Sequence, residues 1–199
     1  MKTEIEVKFL NVDFEQVRAK LVELGAVCEQ PMRLMRRTLM DIHRRTPEND
    51  YSSFLRLRDE GDKVTLTFKL FKEKTLTGAS EREIVVSDFD ETKAILEEAG
   101  LKFSTFQESK RETWKLGEAE VVLDEWPWIP RYIEIEGPSE AIVKDVAKQL
   151  GYDWSDAVFG SADVIYGMEF PNRTVRGVID ISEVRFGAPV PPEFLGEKE

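Results

Sequence analysis

Cysteine and histidine are nearly missing from this chain: its 199 residues contain one of each. With Cys28 alone no internal disulfide can form, which fits a reducing compartment. A thiol nucleophile needs a histidine partner, and His43, set among Arg44, Arg45 and Pro47, reads as a loop residue instead. Cys28 is expected to pack at the start of a strand. No apolar stretch reaches the roughly 18 residues of a membrane span. The opening MKTEIEVKFL places acids where a secretory leader requires an apolar core. These absences predict a soluble, cytoplasmic protein with no membrane partner.

Positive charge is also in deficit. Lys and Arg number 28 against 39 Asp and Glu, for a formal net charge of −11. Non-specific binding to nucleic acid rests on a net basic face, so nucleic acid is not an expected partner. What the chain does have is 41% hydrophobic residues, enough for a core, and 34% charged residues, which is high for a globular domain. No linker composition divides it, and its length suits one domain.

Period-two alternation dominates the chain. Glu4, Glu6 and Lys8 face one way and Ile5, Val7 and Phe9 the other, as in a strand with two unlike faces. Asp13 can then cap a helix whose stripe of Phe14, Val17, Leu21 and Leu24 ends at Gly25. Strand-like segments follow near 26–42, 51–59, 63–71 and 80–87. A second helix starts at Asp88 and stops at Gly100, further strands lie near 101–116, 119–126 and 131–137, and Ser139 opens a third helix ending at Gly151. The pattern predicts an α+β fold of mainly antiparallel strands with helices packed outside. Beyond Pro171 regularity fades. Val178–Ile181 and Val184–Phe186 are expected as a late strand or a docked surface, and the prolines after Gly187 as a mobile end.

Chemistry is concentrated on the polar faces of these strands. Arg56 and Arg58 share a face opposite Leu55 and Leu57; Thr65, Thr67 and Lys69 share another. Glu81 and Glu83, Glu134 and Glu136, and Glu118, Glu120 and Asp124 repeat the arrangement. One such face is ordinarily just the wetted side of an antiparallel sheet. Repeated Glu pairs and Arg pairs at i, i+2 point further. If the sheet curls, the charges converge in an interior that nothing apolar can fill. Carboxylates there suit magnesium or manganese, which prefer hard oxygen ligands. Arginine forks and a lysine suit phosphate oxygens. Of Arg36 and Arg37, parity allows only one to face inward, so one of them is a candidate to touch a ligand.

Glu4-Ile-Glu-Val-Lys8 resembles the ExExK motif that opens CYTH proteins, a group containing class IV adenylyl cyclases, thiamine triphosphatases and inorganic tripolyphosphatases. Arg56-Leu-Arg58 resembles the family's RxR, Lys69 its following strand lysine, Glu81-Arg-Glu83 its mid-chain acidic strand, Ser109-Lys-Arg111 its second basic strand, and Asp124 with Glu134 and Glu136 its late acids. The resemblance covers about residues 4–170.

This resemblance implies a closed eight-stranded antiparallel barrel, a triphosphate tunnel, over residues 1–170, with 171–199 as a partly flexible C-terminal extension. It implies Glu4, Glu6, Glu134 and Glu136 as ligands of Mg2+ or Mn2+, and Lys8, Arg56, Arg58, Lys69 and Arg111 as phosphate ligands. Catalytic roles fall to Glu4, Glu6, Lys69 and Asp124, and further candidates are Glu81, Glu83 and Arg37. The partner is then a triphosphate-bearing small molecule, and the protein a monomer or homodimer. Hydrolysis of tripolyphosphate, thiamine triphosphate or a nucleoside triphosphate is the expected reaction; cyclisation of ATP and non-catalytic polyphosphate binding are the alternatives. Two departures from the family stand out. Ser109 replaces a lysine, with Lys110 expected to point outward. Arg37 and Leu39 stand where an aspartate and a tyrosine are common. Trp126-Pro-Trp128-Ile-Pro130 is expected as a packed loop.

Overall fold

Alternating residues become strands wherever the alternation is unbroken. The computed structural model describes residues 5–43, 52–71 and 79–196. In chain order the elements are β1 (Ile5–Leu10), α1 (Phe14–Glu23), β2 (Val27–His43), β3 (Ser52–Asp59), β4 (Val64–Phe71), β5 (Ala79–Val86), α2 (Phe89–Glu98), β6 (Thr105–Leu116), β7 (Ala119–Glu125), β8 (Tyr132–Gly137), α3 (Glu140–Leu150), α4 (Ala162–Glu169), β9 (Glu183–Val184) and α5 (Pro192–Leu195). Each long helix starts where a short polar side chain can satisfy its free N–H groups. Asp13 accepts from Glu15 N at 2.8 Å, Asp88 from Glu91 N at 2.8 Å, and Ser139 from Ile142 N at 3.3 Å. Gly151 ends α3 with φ of +91°, a left-handed value that side chains disfavour.

The strands form one antiparallel sheet in the order β1-β8-β7-β6-β2-β3-β4-β5, with β9 added in parallel to β6. Fold class and antiparallel sheet match the sequence-based expectation, but the closed barrel does not. Among the described residues β1 and β5 share no hydrogen bond. The reason lies on the outer edge of β1, where Lys8 exchanges both backbone bonds with Val158, at 2.9 Å each. The sheet nevertheless curls. Lys69 of β4 lies close enough to Glu6 of β1 and Glu134 of β8 to act on both carboxyls electrostatically, although five strands lie between β1 and β4 along the sheet.

The convex face holds the main core. Val7, Phe9, Val121, Leu123, Ile133 and Ile135 pack under Phe14, Val17 and Leu21 of α1 and Val143, Val146 and Ala147 of α3. A second cluster closes one end of the curl. There Trp126 and Tyr132 meet Ile165 and Tyr166 of α4, then Val178, Ile181, Val184 and Phe194. The end expected to be mobile from Gly187 is therefore seated through α5. Phe194 is 1% exposed and stacks on Tyr166, with ring centroids 5.3 Å apart. Replacing a buried phenylalanine by alanine typically costs about 3 kcal/mol or more. Phe194→Ala should therefore lower the urea midpoint of the whole chain with an unchanged m value. A wild-type midpoint would place the tail outside the cooperative unit.

Candidate active site

Strand register decides which charges meet. In an antiparallel pair, directly opposed residues share a face, and the concave face can be followed strand by strand. Glu6 opposes Glu136, and Lys8 opposes Glu134. Glu136 opposes Glu120, Asp124 opposes Arg111, and Arg111 opposes Arg33. Arg37 opposes both Gln107 and Arg58. Arg58 and Arg56 oppose Thr65 and Thr67, while Thr67 and Lys69 oppose Glu83 and Glu81. Every described residue in the sequence-derived set thus falls on one surface. Glu4 lies outside the described residues.

Lys8 is the most deeply placed cation whose burial is given among these charges, with only Asp124 less exposed. It is 2% exposed, with Nζ 2.7 Å from Glu134 Oε2 and 3.0 Å from Glu6 Oε1. Burial works against the ammonium, but Glu134 and Glu6 outweigh it and raise Lys8 above the ordinary lysine range. Glu134 responds in kind: burial would raise it, and Lys8 and Arg111 instead hold it down to about 2. Glu6 moves the other way, raised by burial and by its neighbour Glu134 despite Lys8.

The arginines are restrained to different degrees. Arg111 forks onto both oxygens of Asp124, at 2.7 and 2.5 Å, so Asp124 anchors a cation here. Arg58 holds Glu60 at 3.0 and 2.6 Å. Arg56 reaches Thr67 Oγ1 at 3.2 Å and stands 3.6 Å from Glu83, yet its buried Nε has no hydrogen-bond partner among the described residues. Burial, Arg58 and Arg37 pull Arg56 down to about 9, well below an ordinary guanidinium. Lys69 stands 3.9 Å from Glu81. A 280 Å3 cavity at the open end reaches Arg58 and Arg111 and is lined also by Glu29, Arg33, Glu60, Asp62 and Glu120.

Residues 2–156 match the sequence profile of the CYTH domain. The chain belongs to the CYTH family. Solved structures show the same fold. PH1012 of Pyrococcus horikoshii OT3 is 24% identical with a TM-score of 0.62, over 78% of this chain and 94% of that one. A Vibrio parahaemolyticus protein described as a candidate adenylate cyclase gives 13% and 0.66, over 82% and 97%. HpAC1 of Hippeastrum, an adenylyl cyclase candidate described as having a dominant triphosphatase activity, gives 14% and 0.50, over 81% and 92%. No curated protein matches the chain at a significant level. CYTH proteins are triphosphate-processing enzymes that bind triphosphates and generally depend on a divalent metal. No described helix is long and apolar enough to cross a membrane.

Strand register adds residues to the sequence-derived site. Glu120, which alternation put on a polar face without a role, completes a row of opposed carboxylates, Glu6, Glu136 and Glu120, across β1, β8 and β7. Burial raises Glu120, and Glu136 and Glu134 add to that. Its i, i+4 spacing to Asp124 was the available signal. Arg33 shares the concave face with Arg37, four residues on in an unshifted stretch of the β2–β6 ladder, so strand parity was the available signal. Glu60 sits at the end of the β3–β4 turn and carried no signal as the partner of Arg58. Of the arginine pair, Arg37 faces in and Arg36 faces out, bonded to Asp59 at 2.8 Å. Lys110 points outward, 4.4 Å over Phe186, as expected. Cys28 is exposed rather than packed.

Among the described residues no three acidic, histidine or cysteine side chains are gathered tightly enough to make a metal cluster. The donor chemistry still fits a hard divalent ion: the row offers only oxygen, and directly opposed like charges are destabilising until a cation lies between them.

Breaking a buried ion pair from one side typically costs about 3 kcal/mol. Lys8→Met should therefore destabilise the metal-free protein by about that amount at neutral pH. Glu134 has a folded pKa of about 2 against an ordinary 4.5, so the stability it contributes is present above the higher value and lost as pH falls toward the lower. The deficit of the variant should shrink across that window in urea titrations with a chelator. A deficit independent of pH would refute the pairing.

Proposed function

We propose that this CYTH protein is a divalent-metal-dependent triphosphatase that hydrolyses a phosphoanhydride of tripolyphosphate, thiamine triphosphate or a nucleoside triphosphate. The proposal is carried by the cation cluster on β2 and β3, which its carboxylate neighbours Glu60 and Glu83 compensate only in part. Arg56 keeps a buried donor without a partner and lies beside Arg37 and Arg58, all on one face. Buried donors left unmade are costly, and a polyanion is the ligand that would satisfy them.

In this proposal Glu6, Glu134, Glu136 and Glu120 hold the ion, with Glu4 as a further ligand implied by the family motif. When bound, it supplies positive charge against the anhydride oxygens. The chain's own cations do the rest. Arg56, Arg58, Lys69 and the remaining N–H groups of Arg111 grip phosphate oxygens. Lys8 keeps the carboxylates in register, and Asp124 keeps the Arg111 fork from turning. A water oxygen forms the new bond to the terminal phosphorus as the anhydride P–O bond breaks, and charge growing on the leaving phosphate is met by fixed guanidinium groups.

Cyclisation of ATP on the same tunnel is the competing reaction, and it needs a surface that recognises adenine. The cavity at the open end is lined by Glu29, Gln30, Asp62 and Lys63 beside the arginines, and none of its described residues is aromatic. That lining favours hydrolysis.

Incubating the protein with tripolyphosphate, thiamine triphosphate and ATP, each with magnesium or manganese, should release orthophosphate. Equal amounts of pyrophosphate and cyclic AMP would instead establish the cyclase. No turnover of any of the three would leave a binding module. Glu6→Gln should reduce kcat about 100-fold or more, the scale of losing one electrostatic group at a reacting centre, with an unchanged circular dichroism spectrum. Near-normal turnover would remove Glu6 from the metal site.

A further inference from the structure

The closed end of the tunnel contains an arginine that the proposed chemistry leaves unused. Arg37 lies on the concave face of β2, directly opposite Arg58. Its Nε donates to Gln107 Oε1 at 2.8 Å, and its guanidinium lies 4.3 Å over the Trp126 ring. Gln107 is fixed in turn, donating to Thr105 Oγ1 and to the Val178 carbonyl, at 3.2 Å each. The side chain is therefore held in one orientation by groups on β6, the β7–β8 loop and the C-terminal segment.

That holding is neutral. Among the described residues Arg37 makes no salt bridge, whereas Arg58, Arg56 and Arg111 sit beside the carboxylates of Glu60, Glu83 and Asp124; Arg33, also without one, is bonded to backbone carbonyls and Thr113 nearer the open end. The nearest acid of the tail, Asp163, acts on it only at a distance and is bonded to Val178 N at 2.8 Å. Burial and Arg58 pull Arg37 down to about 10, so its charge is unfavourable where it stands. A second buried donor without a partner among the described residues, the indole Nε1 of Trp126, lies in the ring beneath it. The walls beyond are apolar: Tyr132, Val178 and Val184 fill that end. A rigid, desolvated cation beside two orphaned donors, at the end of a tunnel that goes no further, is the chemistry of an anion stop.

We propose that Arg37 binds the terminal phosphoryl group of the substrate at the closed end of the tunnel, adding a third guanidinium to those of Arg56 and Arg58. This rests on the triphosphate function proposed above. The planar fork has one N–H committed to Gln107, which leaves its Nη groups to meet phosphate oxygens. The site is supplied partly by residues beyond the CYTH match at 156, since Val178 positions Gln107.

Calorimetric titration of the metal-free protein with tripolyphosphate tests it, with thermal unfolding of each ligand-free variant alongside. Arg37→Met should weaken binding about 10- to 100-fold, the loss expected for charge-assisted hydrogen bonds. Arg37→Lys should fall between the variant and wild type. Arg36→Met removes the same charge from the opposite face and should bind within about twofold of wild type. Without ligand, Arg37→Met should unfold at or above the wild-type temperature, because it removes a repulsion. Wild-type affinity in Arg37→Met would overturn the proposal. So would a ligand-free unfolding temperature as low as that of Phe194→Ala, which would mark Arg37 as structural, or equal weakening in Arg36→Met, which would mark bulk charge. Failure of the wild-type protein itself to bind tripolyphosphate would overturn the triphosphate function, and this inference with it.

Discussion

A lysine with almost no contact with solvent, gripping two glutamates on neighbouring strands, is the contact on which this interior depends. Lys8 sits at the centre of the seam between β1 and β8, and its ammonium is tolerable there only because Glu134 and Glu6 surround it. The same constraint recurs around the concave face, where Arg111 is matched by Asp124, Arg58 by Glu60 and Lys69 by Glu81. Buried ion pairs of this kind repay little of their desolvation. Stability must therefore come from the convex face, where the apolar halves of β1, β7 and β8 are sealed under α1 and α3. One face of the sheet holds the fold, and the other is left for chemistry.

The neutralisation is uneven, and the unevenness has a direction. Carboxylates accumulate on β1, β8 and β7, where Glu6, Glu136 and Glu120 stand in a row. Guanidinium groups accumulate on β2 and β3, where burial and the charge of Arg58 pull both Arg37 and Arg56 down. Curling the sheet brings the two halves face to face across a narrow space. A ligand that carries negative charge along its length and a divalent ion along one side satisfies both walls together. No uncharged ligand would. The C-terminal segment gives this space an end, since β9 continues the sheet beside β6 where β7 stops, and α4 and α5 fill the gap behind it.

Much of the arrangement was legible without coordinates because strands obey a parity of two. Glu6, Lys8, Arg56, Arg58, Lys69, Asp124, Glu134 and Glu136 could each be assigned to a polar face from their neighbours alone, Arg111 came from the family resemblance, and all share the concave surface. The helix starts at Asp13, Asp88 and Ser139 were legible for a similarly local reason: a short oxygen-bearing side chain ahead of an apolar stripe. Parity is least informative where the ladder slips: Cys28 lies just ahead of two shifts in the β2–β6 register and is exposed, whereas Arg33, beyond them, stays in phase with Arg37. Glu60 was illegible for another reason, because turn residues have no periodicity that aims them.

The sequence by itself therefore determined an α+β protein with a charged strand face and an apolar one, since side-chain alternation and capping act over a few residues. Only the tertiary structure decided what those faces enclose. Whether the sheet closes depends on which segment takes the outer edge of β1, and Val158 takes it. Which arginine is answered by a carboxylate and which is not depends on partners that lie up to seventy or more residues away, such as Gln107 beneath Arg37. The tail could be given no role from composition alone, because proline and glycine set local conformation but say nothing about the aromatic surface of α4 on which Phe194 comes to rest.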